Sequence, residues 1–120
     1  MGKEIARDIG KVIIHDEVIA TVAGVAATEC YGVVGMASRK LKDGIAELLG
    51  RESLSKGVEV YSEGDEVSIK LYLIVGYGVN IPEVAHNIID KVKYNVEAAT
   101  GMNVKHIEIN VQGVRVAEGN

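Results

Sequence analysis

The sequence contains no tryptophan, no phenylalanine, one cysteine and one proline. Each shortage excludes something. With only five Tyr as aromatics, the core has to be assembled from Val, Ile, Leu and Ala. A base-stacking platform for RNA lacks its usual aromatic residues. The lone Cys30 closes no internal disulfide, which suits a reducing cytosol. Basic residues are also in deficit: 13 Lys and Arg against 17 Asp and Glu leave a net charge of -4 and a pI near 5.4. That balance argues against nonspecific nucleic-acid binding, which depends on cations neutralising phosphates. Long apolar runs are missing too, since no stretch approaches the ~20 residues needed to span a bilayer. Residues 1–11 are too polar for a signal peptide. Any membrane association is therefore expected to be peripheral or through a partner.

What is present fits one domain over residues 1–120, with 1–8 and 117–120 expected to be mobile. Its organising stretch is 66–112. In Glu66-Val-Ser-Ile-Lys-Leu-Tyr-Leu-Ile-Val75, five aliphatic residues (Val67, Ile69, Leu71, Leu73, Val75) recur with a period of two and share one face of a strand. Tyr72 and Ile74 on the other face predict that it is partly covered as well. After Gly76-Tyr77-Gly78, the run Asn80-Ile81-Pro82-Glu83 combines a capping side chain, a first-turn proline and a glutamate able to reach back to the cap. Ile81, Ala85, Ile88, Val92, Val96 and Ala99 then keep helical spacing, and Gly101 suits a left-handed stop. Period two returns at Ile107, Ile109 and Val111.

The flanking segments complete the pattern. Residues 9–14 read as a first strand. Residues 17–30 read as a helix with Asp16 as its cap, Ile19, Val22, Val25, Ala26 and Cys30 on one stripe, and Gly32 as its end. Residues 33–36 read as a strand end or a buried turn. In 37–56, five basic and three acidic residues leave a local charge of +2. That stretch reads as the most mobile internal segment, with a brief amphipathic helix at Ile45, Leu48 and Leu49 ending at Gly50. Residues 57–61 and the strand from Glu66 form a β-hairpin around Gly64. The order β-α-(short α)-β-β-α-β predicts an α+β fold: a small, mostly antiparallel sheet with two main helices packed on one face.

No catalytic set is evident. His15, His86 and His106 are widely separated and lack the converging spacing of a metal site, so they read as surface or edge residues. Cys30 lies on an apolar stripe and reads as a small buried hydrophobe rather than a reactive thiol. Gly76-Tyr77-Gly78 precedes a helix start that could hold an anion, but it lacks the glycine spacing and lysine of a P-loop and reads first as a structural turn. No cofactor or metal is expected. Candidate partner contacts are Tyr31 and Met36 in the 31–37 turn, Arg39, Lys40 and Lys42 in the basic segment, and Tyr77.

Four phrases together carry a family resemblance: Tyr31-Gly-Val-Val-Gly-Met-Ala37, Lys42-Asp-Gly-Ile-Ala-Glu-Leu-Leu-Gly50, Tyr77-Gly-Val-Asn-Ile-Pro-Glu-Val-Ala85 and Thr100-Gly-Met-Asn-Val-Lys-His-Ile-Glu-Ile-Asn-Val-Gln-Gly113. Over roughly residues 5–116 the chain resembles the alkaline shock protein family of envelope stress response proteins, found mainly in Gram-positive bacteria, in its compact form. The resemblance implies a cytoplasmic, non-enzymatic adaptor or scaffold for cell-envelope homeostasis. Such a protein acts through protein contacts near the membrane, with a small membrane-anchored protein as one kind of partner. It carries over no catalytic residue. Edge strands of a small open sheet add self-association to a homo-oligomer as an expectation. Two alternatives stand beside the adaptor: a nucleic-acid-binding module, disfavoured by charge and composition, and an accessory subunit of a lipid-phosphorylating (fatty-acid) kinase.

Overall fold

The computed structural model describes residues 3–7 and 9–116. Strands β1 (Lys3–Arg7) and β2 (Gly10–Ile14) lead into helix α1 (Asp16–Thr28). A second hairpin, β3 (Val33–Lys42) and β4 (Ile45–Leu48), is followed by a 3-10 helix, Arg51–Gly57. Then come β5 (Val58–Glu63), β6 (Glu66–Gly76), helix α2 (Ile81–Thr100) and β7 (Asn103–Arg115).

Strand β6 is the centre of the sheet: it pairs with β3, β5 and β7 and is apolar along its odd face. Its odd residues, Val67 to Val75, are all buried, and so is Ile74 on the opposite face. Strand β7 runs parallel to it along its whole length, as a strand-helix-strand crossover requires. The other edge of β6 is shared: β5 pairs antiparallel with residues 66–71, and β3 with residues 73–75. The hairpin turn between β5 and β6 has Gly64 at φ +62°, as its sequence requires. The sheet is therefore mostly antiparallel with one parallel pair, and the fold is α+β.

Both helices lie on the odd face of β6. Asn80 caps α2 by accepting the Glu83 amide at 3.0 Å, and Gly101 ends it at φ +74°. The buried stripe is Val84, Ile88, Val92, Val96 and Thr100, one step round from the stripe predicted through Ile81 and Ala99, which are exposed. Helix α1 shows a similar rotation. It buries Ile19, Ala20, Ala23, Gly24, Ala26 and Ala27, while Val25 faces out. Small residues win the inner face because α2 and the 3-10 helix approach closely. A Cβ on Gly24 would meet Leu54 at 3.3 Å. Nor is Asp16 the cap of α1. His15 occupies that position without a side-chain bond, and Asp16 accepts a hydrogen bond from Ser62 at 3.0 Å. The helix stops at Thr28, and Gly32 serves the turn after it at φ +92°.

Two segments differ from their sequence reading. Residues 3–7 form β1, in register with β2 (Ile5 opposite Val12), rather than a loose start. Residues 1, 2, 8 and 117–120, expected to be mobile, lie outside the described residues. Residues 45–48 form β4, not a helix, because Asp43 and Gly44 adopt positive φ (54° and 76°) and close a tight hairpin. Nor is 37–56 short of anchors. The β3–β4 hairpin crosses the even face of β6, where Ala37, Ala46 and Ile74 form a small second core. This explains the buried Ile74 and half-buried Tyr72.

Candidate functional site

Two surface features stand out among the described residues. The first is an end of the molecule built from three chain segments. The Gly76 amide donates to the Gly32 carbonyl at 2.9 Å, and the Tyr77 amide donates to the Arg115 carbonyl at 2.8 Å. These bonds hold the turn after α1, the turn after β6 and the end of β7 side by side. Tyr31 (84% exposed) and Tyr77 (74% exposed) project from the first two, and Val114 and Val116 are exposed on the third. An exposed pair of tyrosines on adjoining fixed turns gives large contact area at low entropy cost, the composition favoured at protein interfaces. The two candidate tyrosines, 46 residues apart in sequence, are thus brought together.

The second feature is a concavity of about 960 Å³ beneath the β3–β4 hairpin. Its wall is a bulge in β3. Ala37 pairs with Leu48 and Leu41 with Ala46, so three residues, 38–40, stand opposite the single Glu47. Side chains lock the bulge. The Ser38 hydroxyl donates to the Lys40 carbonyl at 3.0 Å and accepts the Glu47 amide at 3.1 Å. The Gln112 amide group donates to the Ser38 and Arg39 carbonyls at 3.4 and 3.3 Å. Gln112 itself is the extra residue of a bulge in β7, since Leu73 pairs with Val111 and Ile74 with Gly113. One bulge therefore props the other.

The bulge delivers Arg39 and Lys40 to the concavity, where Lys56 joins them from the 3-10 helix. Arg39 Nη1 lies 3.0 Å from Glu59 Oε2, and the Tyr72 hydroxyl donates to Glu59 Oε1 at 3.0 Å. Burial first, then its bond to Glu59 and the charges of Glu59 and Glu108, raise the pKa of the Tyr72 phenol above its ordinary value. Among the described residues no ion pair engages Lys40, Lys56 or Glu47.

Of the sequence candidates, Tyr31 and Tyr77 share the first feature, and Arg39 and Lys40 line the second. Lys42 is exposed near the hairpin tip and lines neither. Met36 is a correction: it is fully buried in the main core opposite Leu73, so no partner reaches it. Burial runs through Gly35, Met36 and Ala37 without alternation, because β3 is covered on both faces there. Lys56 and Glu47 belong to the basic 37–56 segment that the sequence offers as a contact surface, whereas Glu59, Tyr72 and Gln112 are brought near Arg39 only by the packing of β5, β6 and β7 and carry no signal in the sequence.

The remaining titratable groups are structural or solvated. Cys30 is buried, its Sγ 3.5 Å from the Ala26 carbonyl, and burial raises its pKa, partly offset by Lys91. His86 pairs with Asp90 at 3.6 Å on the surface, and His15 and His106 are exposed. No group of three or more His, Cys, Asp or Glu among the described residues could hold a metal ion. None of the helices among those residues is long and apolar enough to cross a membrane.

Fold and surface together define a small α+β domain with an aromatic end and a polar concavity. The chain belongs to the alkaline shock protein family, described by a cell envelope-related function, whose model matches residues 4–116. It is 50% identical over 117 residues to YloU of Bacillus subtilis, covering 97% of this chain and 98% of that one. It is 42% identical over 112 residues to Spy1614 of Streptococcus pyogenes serotype M6, covering 92% and 93% of the two chains. Among solved structures, a MamM CTD variant superposes with a TM-score of 0.50 at 15% identity, covering 82% of this chain and 98% of that one. That likeness shows the fold alone.

Proposed function

We propose that this protein is a non-enzymatic adaptor that works by protein–protein contact at the inner face of the cell membrane, reaching the membrane through a small membrane-anchored partner. The observation that carries the reading is the tyrosine-bearing end. Tyr31 and Tyr77 are held on adjoining turns by the Gly76–Gly32 bond and flanked by exposed Val114 and Val116. Both aromatics leave most of their surface uncovered, and buried aromatic anchors supply much of the energy at interfaces. The family's cell envelope-related function supports the location.

The test is affinity capture from native cells solubilised in mild detergent, read by mass spectrometry, with wild-type bait and a Tyr31→Ala/Tyr77→Ala double variant. The adaptor reading expects a reproducibly enriched membrane-anchored protein that the double variant loses. Recovery of the same proteins by both baits, or of the bait alone, would overturn the assignment of this surface.

A further inference from the structure

Bulges commonly re-aim side chains beside functional sites, and the one at residues 38–40 is braced from both sides. Ser38 bonds across the hairpin, and Gln112 of β7, a strand not paired with β3, holds two of its carbonyls. The brace fixes the backbone that carries two consecutive cationic residues at the wall of a concavity whose volume falls in the range of small-molecule sites, roughly 300–1,000 Å³. Arg39 is further oriented by Glu59, which Tyr72 holds in turn. A guanidinium fixed in this way keeps its remaining N–H groups for a planar or tetrahedral oxyanion.

The charges of the lining are mixed, and the mixture is informative. Arg39, Lys40 and Lys56 bring three positive charges, while Glu59 is committed to Arg39 and Tyr72. Glu47 and Ser53 add an uncommitted acceptor and a hydroxyl on the same lining. A simple anion leaves Glu47 without a purpose and repelled. A ligand with a phosphoryl group at one end and hydroxyls at the other uses both sets: cations take the phosphoryl oxygens, and Glu47 and Ser53 take the hydroxyls.

We propose that this concavity is a binding site for a phosphorylated polyol of the glycerol phosphate type. Arg39, Lys40 and Lys56 hold the phosphoryl group, and Glu47 and Ser53 hold the polyol. The same chemistry occurs in a soluble metabolite and in the headgroup of an anionic glycerolipid. The site shares no residue with the tyrosine-bearing end and does not rest on the adaptor reading.

The test follows backbone amide shifts of the full-length protein on titration with glycerol 3-phosphate, inorganic phosphate and glycerol. Co-sedimentation with phosphatidylglycerol or phosphatidylcholine vesicles accompanies it. The proposal expects shifts at 38–40, 47, 53 and 56 with glycerol 3-phosphate, weaker ones with phosphate, and none with glycerol. Among the described residues Lys40→Gln and Lys56→Gln break no ion pair, so the fold is expected to be preserved. Each is expected to weaken binding about tenfold, the loss of one charge-assisted contact. Binding to phosphatidylglycerol vesicles but not phosphatidylcholine, lost in the same variants, identifies the lipid headgroup as the source. Binding of glycerol 3-phosphate without vesicle binding identifies the soluble one. Equal binding of phosphate and glycerol 3-phosphate overturns the polyol assignment. Absence of shifts and of vesicle binding, or binding indifferent to both variants, overturns the site.

Discussion

Gly76 and Gly32 are joined by a 2.9 Å backbone hydrogen bond that ties the turn bearing Tyr77 to the turn bearing Tyr31. The turn at residue 32 is built for glycine. A Cβ there would meet Val84 Cγ2 at 2.7 Å, and its φ of +92° lies in the region that L residues avoid. Gly32→Ala is expected to cost about 1–3 kcal/mol, read as a lower urea midpoint at unchanged slope. A midpoint within error of wild type would contradict the close approach.

Tyr72 donates to Glu59 and has a raised pKa. A group raised in the folded state adds stability that is fully present below its ordinary value near 10 and is lost as pH rises through the folded value. In the difference between the phenolate titrations of wild type and Tyr72→Phe, the step lost with Tyr72 is expected above the ordinary value near 10. A lost step at the ordinary value would contradict the burial and the Glu59 bond that raise it.

Cys30 provides a test of the core. It is buried, and burial raises its pKa, so little thiolate is exposed at neutral pH. Native protein is expected to react with a maleimide far more slowly than protein in denaturant. Equal rates would mean that the packing of α1 on α2 opens readily.

Glu97 couples the end of α2 to the start of β7 by accepting the Val104 amide at 2.9 Å while paired with Lys93 at 2.7 Å. The Lys93 hydrogen bond first, then the Val104 amide, lowers its pKa. The stabilisation is therefore present above the ordinary value near 4.5 and disappears as pH falls through the lowered one. Wild type is expected to be more stable than Glu97→Gln at pH ~6, with the gap closing in acid. A gap independent of pH would show that the charge contributes nothing.

The central strand and α2 were legible because local signals agreed. Period two in 67–75, a capped start at Asn80 and a glycine stop at Gly101 all pointed one way. Helix α1 was legible as a helix, but its inner face was not: hydrophobicity favours Val25, whereas close approach of neighbouring elements selects Ala23 and Ala27. Ile45, Leu48 and Leu49 fit a short helix as well as a strand, and the Asp43-Gly44 turn decided the matter. Of the candidate contacts, Tyr31 and Tyr77 could be named from the sequence but not placed together, since their proximity depends on the long-range pairing of β3 with β6, continued by the Gly76–Gly32 bond. The concavity was illegible because a bulge breaks the alternation that pattern reading relies on, and Gln112 comes from a strand more than 70 positions away.

The most direct test of the adaptor account is photo-crosslinking in living cells from a benzoylphenylalanine placed at position 31, 77 or 94. Tyr94 is 73% exposed on α2 and provides the control. The account predicts a discrete adduct with the same membrane-anchored protein from positions 31 and 77, and none from 94. No adduct from 31 and 77, or the same adducts from all three positions, would contradict it.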